Sequence, residues 1–342
     1  MPHKSKRFAL LITFVLAGLP LAGGTAKTGK SRQASVERAR SESAVLWREP
    51  TDIESRNLFY GPGGEQHQPE GPFTFVEEDL NGSNPKYVVR DRNKVKWTVK
   101  LGNEARPETV ASRLVWAAGY FTNEDYFLQD IQVADMPAHV KRGGSQIEPG
   151  GTMHAARLKR HLEDEKKIEN WKWSDESVAG SRELNGLKVM MALINNWDLK
   201  EENNALYGGK NAAEQVYIVS DLGASFGTTG PTIPLSHSKG NLDAYIHSRF
   251  LGKISPEYVD FCTPSRPALI YVFGLPAFVR RVRLDDIVHH IPRADAQWIG
   301  QLLSKLSWDQ IRDAFRAAGY APTQVNAYSG AVQGRIAELN GL

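Results

Sequence analysis

The chain has 342 residues, of which 41% are hydrophobic and 24% are charged. This composition suits a globular protein with a sizeable core, in one two-lobed domain or two modest domains. The formal net charge of +3 is too small to indicate nucleic acid as a partner, and the single cysteine, Cys262, excludes an internal disulfide and a metal site built from several cysteines.

The first 26 residues have the pattern of a signal peptide. Basic residues at 4–7 precede an apolar run at 8–21, and small residues follow at 22–26, as at a cleavage site. The apolar run is shorter than the ~20 residues that a spanning helix needs. We therefore predict an exported protein, in the periplasm, the cell envelope or the medium, without a stable membrane span after cleavage.

Residues 27–45 are rich in Ser, Arg and Lys and are predicted to be a flexible linker. Residues 24–31 match the phosphate-loop pattern G-x-x-x-x-G-K-S, but such a loop needs a strand before it and a core-packed helix after it. Because the residues that follow are almost wholly polar, a helix there would have little apolar face. We interpret this match as a coincidence.

Residues 46–141 are predicted to form an N-terminal wrap and a β-rich lobe. Pro and Gly punctuate residues 46–72, which is typical of an ordered loop. Alternating apolar residues and turn signals then predict short strands, and a Pro and a Gly bracket a helix. The predicted elements are strands at 73–76, 87–89 and 95–101, a helix at 107–118 and further strands within 126–133.

Residues 142–342 are predicted to form a mainly helical C-terminal lobe, entered through a Gly-rich connection at 142–151. Apolar periodicity predicts the helices, and short β-branched runs predict two strands. The predicted elements are a helix at 184–195, strands at 205–207 and 216–219, an exposed loop at 223–241 and several helices from 284 onwards.

The segment that carries the most chemistry reads Asp198-Leu-Lys200-Glu-Glu-Asn203 and follows an apolar run. Asp221 ends a second apolar run, and Gly223 lies two residues beyond it. Phosphoryl transfer needs a carboxylate that orients a hydroxyl, a cation, and an Asn and an Asp that hold magnesium. Residues of each of these types are present in the two segments.

This arrangement resembles the protein-kinase-like superfamily. It is more similar to the HipA-like, phosphoinositide-kinase-like and secretory-pathway kinase branch than to ordinary kinases, because Asn195 and Asn196 stand before Asp198 and Asp-Leu-Gly replaces Asp-Phe-Gly. The resemblance implies an α+β, two-lobed kinase-like fold. Such a fold has a small antiparallel β-sheet lobe with one helix, and a larger, mainly helical lobe.

The resemblance also implies roles for the motif residues. Asp198 would orient the acceptor hydroxyl or accept its proton, Lys200 would neutralise developing charge, and Asn203 and Asp221 would hold Mg²⁺. Simpler interpretations remain open: a helix-capping Asp198, a solvated Lys200 and an Asp221 that only shapes a turn. Asn204 competes with Asn203 for the metal role, although the spacing favours Asn203.

For the nucleotide, the resemblance implies that Lys100, on the third strand, binds ATP phosphates and that Glu108, in the first turn of the helix, pairs with it. Glu104 is an alternative acid partner, and Lys96, on the same face of the strand, is an alternative lysine. The backbone N–H groups of Gly82 and Ser83 would face a phosphate, although a plain hairpin turn explains these two residues equally well.

The sequence therefore predicts a metal-dependent phosphotransferase that uses ATP and Mg²⁺ and acts on a hydroxyl of a protein, lipid or sugar. One alternative is a catalytically silent kinase-like module that binds a ligand or partner. Another is an exported structural protein whose short motifs are coincidental. Either kinase-like interpretation requires Lys100, Asp198, Asn203 and Asp221 to converge in one cleft.

Overall fold

A computed structural model of the chain describes residues 44–81, 84–162, 166–208, 214–227, 239–262 and 286–342. These residues belong to the unit Glu42–Leu342. The predicted signal peptide, nearly all of the predicted linker, and Gly82 and Ser83 lie outside the described residues.

The described residues contain twelve strands and six α-helices, which confirms the predicted α+β class. The strands are β1 (Ala44–Val45), β2 (Phe73–Asp79), β3 (Lys86–Arg90), β4 (Lys96–Lys100), β5 (Asp125–Ala134), β6 (Thr152–Arg160), β7 (Lys166–Glu169), β8 (Asn204–Gly208), β9 (Gln215–Val219), β10 (Leu251–Ile254), β11 (Tyr258–Phe261) and β12 (Ile291–Pro292). The helices are α1 (Ala105–Ala117), α2 (Arg182–Leu193), α3 (Leu242–Ile246), α4 (Arg293–Leu303), α5 (Trp308–Ala317) and α6 (Pro322–Asn340).

Five strands close into a barrel in the order β2-β3-β4-β6-β5. Its neighbours are antiparallel except β2 and β5, which pair in parallel where Phe73 lies opposite Val133. Along β4, Trp97 and Val99 are buried inside the barrel, as the alternation of apolar residues predicts. Lys100 lies on the outer face, where α1 covers it, so that only 4% of its surface is exposed.

Helix α1 begins at Ala105, two residues before the predicted start, so Pro107 lies in the first turn rather than at its first position. That placement is tolerated because the N–H groups of a first turn have no helical acceptor. Gly119 ends the helix region with a φ of +91°. A Cβ at this position would stand 2.3 Å from the carbonyl oxygen of Arg48, so only Gly fits between the helix and the N-terminal wrap.

Strand β6 was not predicted, and it belongs to the barrel although it follows residue 142, where the larger lobe was expected to begin. Its core-facing residues are Met153 and then Ala156 and Leu158, so they change from odd to even positions along the strand. Ala155, where the change occurs, has a positive φ of +50°. Because the alternation is interrupted, the sequence lacks the regular period of two that marks a strand. The barrel therefore extends to Arg160.

The larger lobe contains α2–α6, the sheet β1-β9-β8-β7 and the small sheet β10-β11-β12. At its centre, the ring of Phe226 contacts those of Tyr245, Phe315 and Tyr328, with centroids 5.2, 5.4 and 5.9 Å away. Aromatic edge-to-face pairs of this kind stabilise a core beyond the area they bury. Phe226 thereby anchors the segment that follows Asp221. In the described part of the chain, no helix is long and apolar enough to cross a membrane.

Candidate functional site

The loop that carries Asp198 begins where α2 ends. Arg335, a buried residue of α6, donates from Nη1 to the Leu193 carbonyl (2.8 Å) and to Asn195 Oδ1 (3.3 Å). These bonds satisfy groups that a helix end leaves without partners. Asn195 then turns the chain with a φ of +53°, a left-handed conformation that Asn adopts more readily than most residues.

Hydrogen bonds fix both the backbone N–H and the backbone carbonyl of Asp198. Its N–H donates to Asn196 Oδ1 (3.1 Å), and its carbonyl accepts a hydrogen bond from Asn203 Nδ2 (2.7 Å). Its carboxylate pairs with Lys200 Nζ at 2.8 Å. The predicted pair Asp198 and Lys200 is therefore in contact, and both side chains are partly exposed, as a group that meets a substrate must be.

Asn203 joins this loop to Asp221. Its carbonyl accepts hydrogen bonds from the N–H groups of Ser220 (2.7 Å) and Asp221 (3.3 Å), while its side-chain amide holds Asp198. Asn204, the competing candidate, is fully buried and donates to the Trp171 carbonyl (3.2 Å). The structure thus places Asn203 between the two acidic residues and gives Asn204 a packing role.

Lys100 is the centre of a cluster of carboxylates. Its Nζ lies 2.7 Å from Glu108 Oε2, 3.1 Å from Glu104 Oε2 and 3.4 Å from Asp221 Oδ1. Both acids that the sequence left open therefore contact Lys100, and Glu108 is the nearer. Lys96, the alternative lysine, is exposed at the start of β4 opposite Arg90. The four residues of the Lys100 cluster come from β4, the start of α1 and the segment after β9.

In the Lys100 cluster, neighbouring charges and burial shift the pKa values in opposite directions. Burial alone would lower the pKa of Lys100, but the carboxylates of Glu108 and Asp221 raise it above its usual range. Burial likewise disfavours the charged form of Asp221, yet Lys100 and the Gly223 N–H lower its pKa to about 2. Lys100 and Asp221 are therefore both charged near neutral pH.

Two further charged residues support the cluster and were not predicted. Arg157, on β6 directly opposite Lys100, pairs with Glu108 Oε1 and with Asp125 Oδ1, the latter at 3.2 Å. Glu108 thus bridges two buried cations. Burial raises the pKa of Asp125 to about 6, against the opposing effect of Arg157. A basic residue beside apolar positions at 156 and 158 was the available signal, but it was hidden because β6 itself was missed.

Lys239 is a third residue that sequence reasoning missed. It pairs with Glu104 Oε1, and its Nζ lies 5.7 Å from the centre of the Trp197 ring, next to Asp198. Glu104 and Lys239 are 135 positions apart, so no local pattern could reveal their contact. Together they extend the Lys100 cluster towards the loop of Asp198.

Gly223 gives Glu104 the space that it occupies. A Cβ at position 223 would stand 2.8 Å from both Cβ and Oε2 of Glu104. We expect Gly223→Ala to displace Glu104 and to lower the free energy of unfolding by about 1–3 kcal/mol, as overpacking does. Urea denaturation measures this change. Gly330→Ala, on an exposed face of α6 with open space around it, is the control and should be neutral or stabilising; equal losses in the two variants would contradict the close approach.

The low pKa of Asp221 predicts an acid-sensitive contribution to stability. Its folded-state pKa of about 2 is below the ordinary 3.8, so the charged form stabilises the fold above about pH 4, and this contribution is lost as the pH falls towards about 2. We expect the stability difference between wild type and Asp221→Asn to be constant from about pH 5 to 7 and to shrink below about pH 4. Denaturation at a series of pH values measures it, and a difference that persists unchanged in acid would contradict the assignment.

The residues present fit a divalent cation. Oxygen atoms of Glu104, Glu108 and Asp221 lie within 4.8 Å of one another, and the backbone carbonyl of Asn203 accepts a hydrogen bond from the N–H of Asp221. Carboxylate and amide oxygens are the ligands that Mg²⁺ prefers. Lys100, held among the carboxylates, adds the cation that a bound phosphate requires.

No protein-family model and no curated protein sequence matches this chain. Among solved structures, the chain is similar to the Helicobacter pylori proinflammatory kinase CtkA, with 11% identity and a TM-score of 0.43, over 78% of this chain and 93% of that chain. It is also similar to the Golgi casein kinase, with 9% identity and a TM-score of 0.40, over 94% of this chain and 90% of that chain. A structure of the Golgi casein kinase with Mn/ADP bound gives 9% identity, a TM-score of 0.41 and the same coverage.

Proposed function

We propose that this protein is an exported, kinase-like phosphotransferase that transfers a phosphoryl group from ATP to a hydroxyl of a protein, lipid or sugar, with Mg²⁺. One observation carries the proposal. Lys100, Glu108 and Asp221, which are distant in sequence, meet in a single ion-pair cluster, and Asn203 connects Asp221 to the loop of Asp198. These contacts support a kinase-like cleft, for which the sequence analysis required Lys100, Asp198, Asn203 and Asp221 to converge.

The residues of the cluster bind and orient the nucleotide. Lys100 would contact phosphate oxygens, and Glu108 keeps its ammonium group in place while being held itself by Arg157. Asp221 and Asn203 would present oxygen atoms to the metal. When bound, Mg²⁺ and ATP supply the transferable phosphoryl group and neutralise its charge. The protein contributes positioning and fixed charges, which are its principal means of catalysing this type of reaction.

Asp198 would act on the acceptor. Its backbone is fixed by Asn196 and Asn203, so its carboxylate is held at a defined place, where it would orient the hydroxyl and accept its proton. Lys200, 2.8 Å from that carboxylate, would offset the negative charge that develops nearby. The acceptor itself is left open by these residues, because none of them distinguishes a protein from a lipid or a sugar.

The predicted signal peptide at 1–26 favours a second function. In a bacterial envelope, little ATP is expected outside the membrane, so an exported chain with this cleft could serve as a silent binding module. The two functions differ in turnover. A silent module binds a nucleotide or another anionic ligand and releases no ADP.

The test is ADP release from ATP by the full chain, with and without Mg²⁺. We expect slow release that needs the metal and that disappears in Asp221→Asn, while Asp313→Asn, a change of the same type in α5, leaves it unchanged. Nucleotide binding without any ADP release would favour the silent binding module over the phosphotransferase. Absence of both nucleotide binding and ADP release would favour a structural protein.

A further inference from the structure

A cavity lies beside the N-terminus of α1, outside the group of residues proposed to bind the nucleotide. It has a volume of about 530 Å³, and Arg106, Gln146, His154, Lys239, Gly240 and Tyr320 are among its lining residues. Lys100, Asp198, Asn203 and Asp221 do not line it. We name it the α1 pocket. Apart from Lys239, which also pairs with Glu104 of the Lys100 cluster, its polar groups have no part in the function proposed above, so they need an explanation of their own.

Arg106 is the first of these groups. Its guanidinium stacks near the rings of Phe127 and Tyr320, 5.5 and 5.7 Å from their centres. It makes one long hydrogen bond, from Nη2 to Gln129 Oε1 at 3.4 Å, and its buried Nε has no partner. Among the described residues, no carboxylate pairs with it. Aromatic rings hold this guanidinium, and most of its N–H donors are unused. Such a group is suited to an anion that two of its nitrogens can contact at once.

Tyr320 is the second. The residue is 8% exposed, and its buried hydroxyl interacts with the Tyr328 hydroxyl without forming a hydrogen bond of normal geometry. That hydroxyl lies 3.1 Å from the place where a Cβ of residue 240 would stand, and Gly240 and Tyr320 line the same pocket. A buried hydroxyl that lacks a well-formed hydrogen bond destabilises a protein unless a ligand or water accepts one from it. The Tyr320 hydroxyl lies in the wall of the pocket beside Gly240, where a bound ligand would accept such a bond.

The surrounding charge favours a negative ligand. The pocket includes residues from the first turns of α1 and α6, helices of 13 and 19 residues, whose N-termini carry partial positive charge. Lys239 adds an ammonium group, which it shares with Glu104. The carboxylate in the lining, Glu148, is already paired with His154 Nε2 at 3.0 Å, and Asp130 holds the other nitrogen of that His.

We propose that the α1 pocket binds a phosphate-class anion, either free inorganic phosphate or the phosphate of a small phosphomonoester. Arg106 would bind two of its oxygens through the guanidinium, and the Tyr320 hydroxyl would donate to a third. Lys239 would turn from Glu104 towards the bound anion or share it. The site adjoins the proposed nucleotide cleft, to which Lys239 connects it through Glu104, and it does not depend on phosphoryl transfer.

The test is calorimetric titration of the full chain with sodium phosphate and with phenyl phosphate, at constant ionic strength, with sodium chloride as the reference. We expect saturable binding of phosphate or its ester and none of chloride. Arg106→Gln should weaken binding about tenfold or more, because a charge-assisted pair is lost. Arg92→Gln, which removes the same charge from an exposed turn where Arg92 pairs with Glu70, should leave binding unchanged.

Tyr320→Phe separates a binding role from a structural one. It should weaken phosphate binding and, in the absence of the anion, raise the unfolding temperature, since a buried hydroxyl without a well-formed hydrogen bond is removed. Tighter binding of phenyl phosphate would identify an esterified ligand, and tighter binding of phosphate would identify the free ion. Equal binding by wild type and Arg106→Gln, or a Tyr320→Phe variant that binds normally, would overturn the proposal. If Mg-ATP still raises the unfolding temperature of Arg106→Gln, the proposed nucleotide cleft is intact in that variant, whether or not the variant binds phosphate.

Discussion

Asp198→Asn is expected to slow phosphoryl transfer by about 10²–10⁴-fold, the usual effect of losing a positioned general base, with Mg-ATP binding unchanged. Asn keeps the shape of the side chain but cannot accept the proton of the acceptor hydroxyl at neutral pH. The backbone bonds to Asn196 and Asn203 do not use the carboxylate, so the loop should keep its conformation. ADP release and nucleotide affinity, measured on the same preparation, give the two quantities.

The control for this variant is Glu201→Gln. Glu201 is an exposed acid in the same loop, so the substitution removes a charge nearby without touching the Asp198 carboxylate. Its turnover should be close to that of wild type. A loss of turnover in Asp198→Asn no larger than that in Glu201→Gln would remove Asp198 from the catalytic role.

Glu108→Gln is expected to lower the free energy of unfolding by about 3–5 kcal/mol, because removing one partner of a buried ion pair leaves uncompensated charge in the interior. Glu108 is 1% exposed and bridges Lys100 (2.7 Å) and Arg157. In the variant, Arg157 would keep Asp125, and Lys100 would keep Glu104 and Asp221. The remaining acids limit the loss, and they explain why we expect a folded variant.

Urea denaturation monitored by tryptophan fluorescence gives the free energy. Glu338→Gln, at an exposed position of α6, is the matched control and should change stability by less than about 0.5 kcal/mol, as surface substitutions usually do. If Glu108→Gln lowers the free energy of unfolding no more than the control does, Lys100 and Arg157 are solvated rather than held by Glu108.

The sequence predicted the elements whose patterns are local. Strands β2, β3 and β4 have clear alternation or turn signals, and α1 is bracketed by a Pro and a Gly, so their positions were right within a few residues. Roles were predicted for Lys100, Asp198, Asn203 and Asp221 because these residues match, in type and order, the arrangement of the kinase-like superfamily that the sequence resembles. The structure brings them together, which short motifs alone could not establish.

The sequence could not predict contacts that depend on tertiary packing. Arg157 was missed because Ala155, with its positive φ, breaks the alternation of β6 and conceals the strand. Lys239 was missed because its contact with Glu104 joins segments that are distant in sequence. The choice between Glu104 and Glu108 stayed open because both lie at the start of α1, and in the structure both contact Lys100.

We propose that the Lys100 cluster, which includes Asp221, binds a metal–nucleotide complex. Thermal unfolding of wild type and Asp221→Asn, with ATP and Mg²⁺ and with ATP and a chelator, tests this binding. A ligand present at 100 times its Kd stabilises the folded state by about 2.7 kcal/mol. We predict an increase in the unfolding temperature of wild type that requires Mg²⁺ and is absent in Asp221→Asn. No increase at millimolar Mg-ATP, or an equal increase in both proteins, would show that the Lys100 cluster does not bind the metal–nucleotide complex through Asp221.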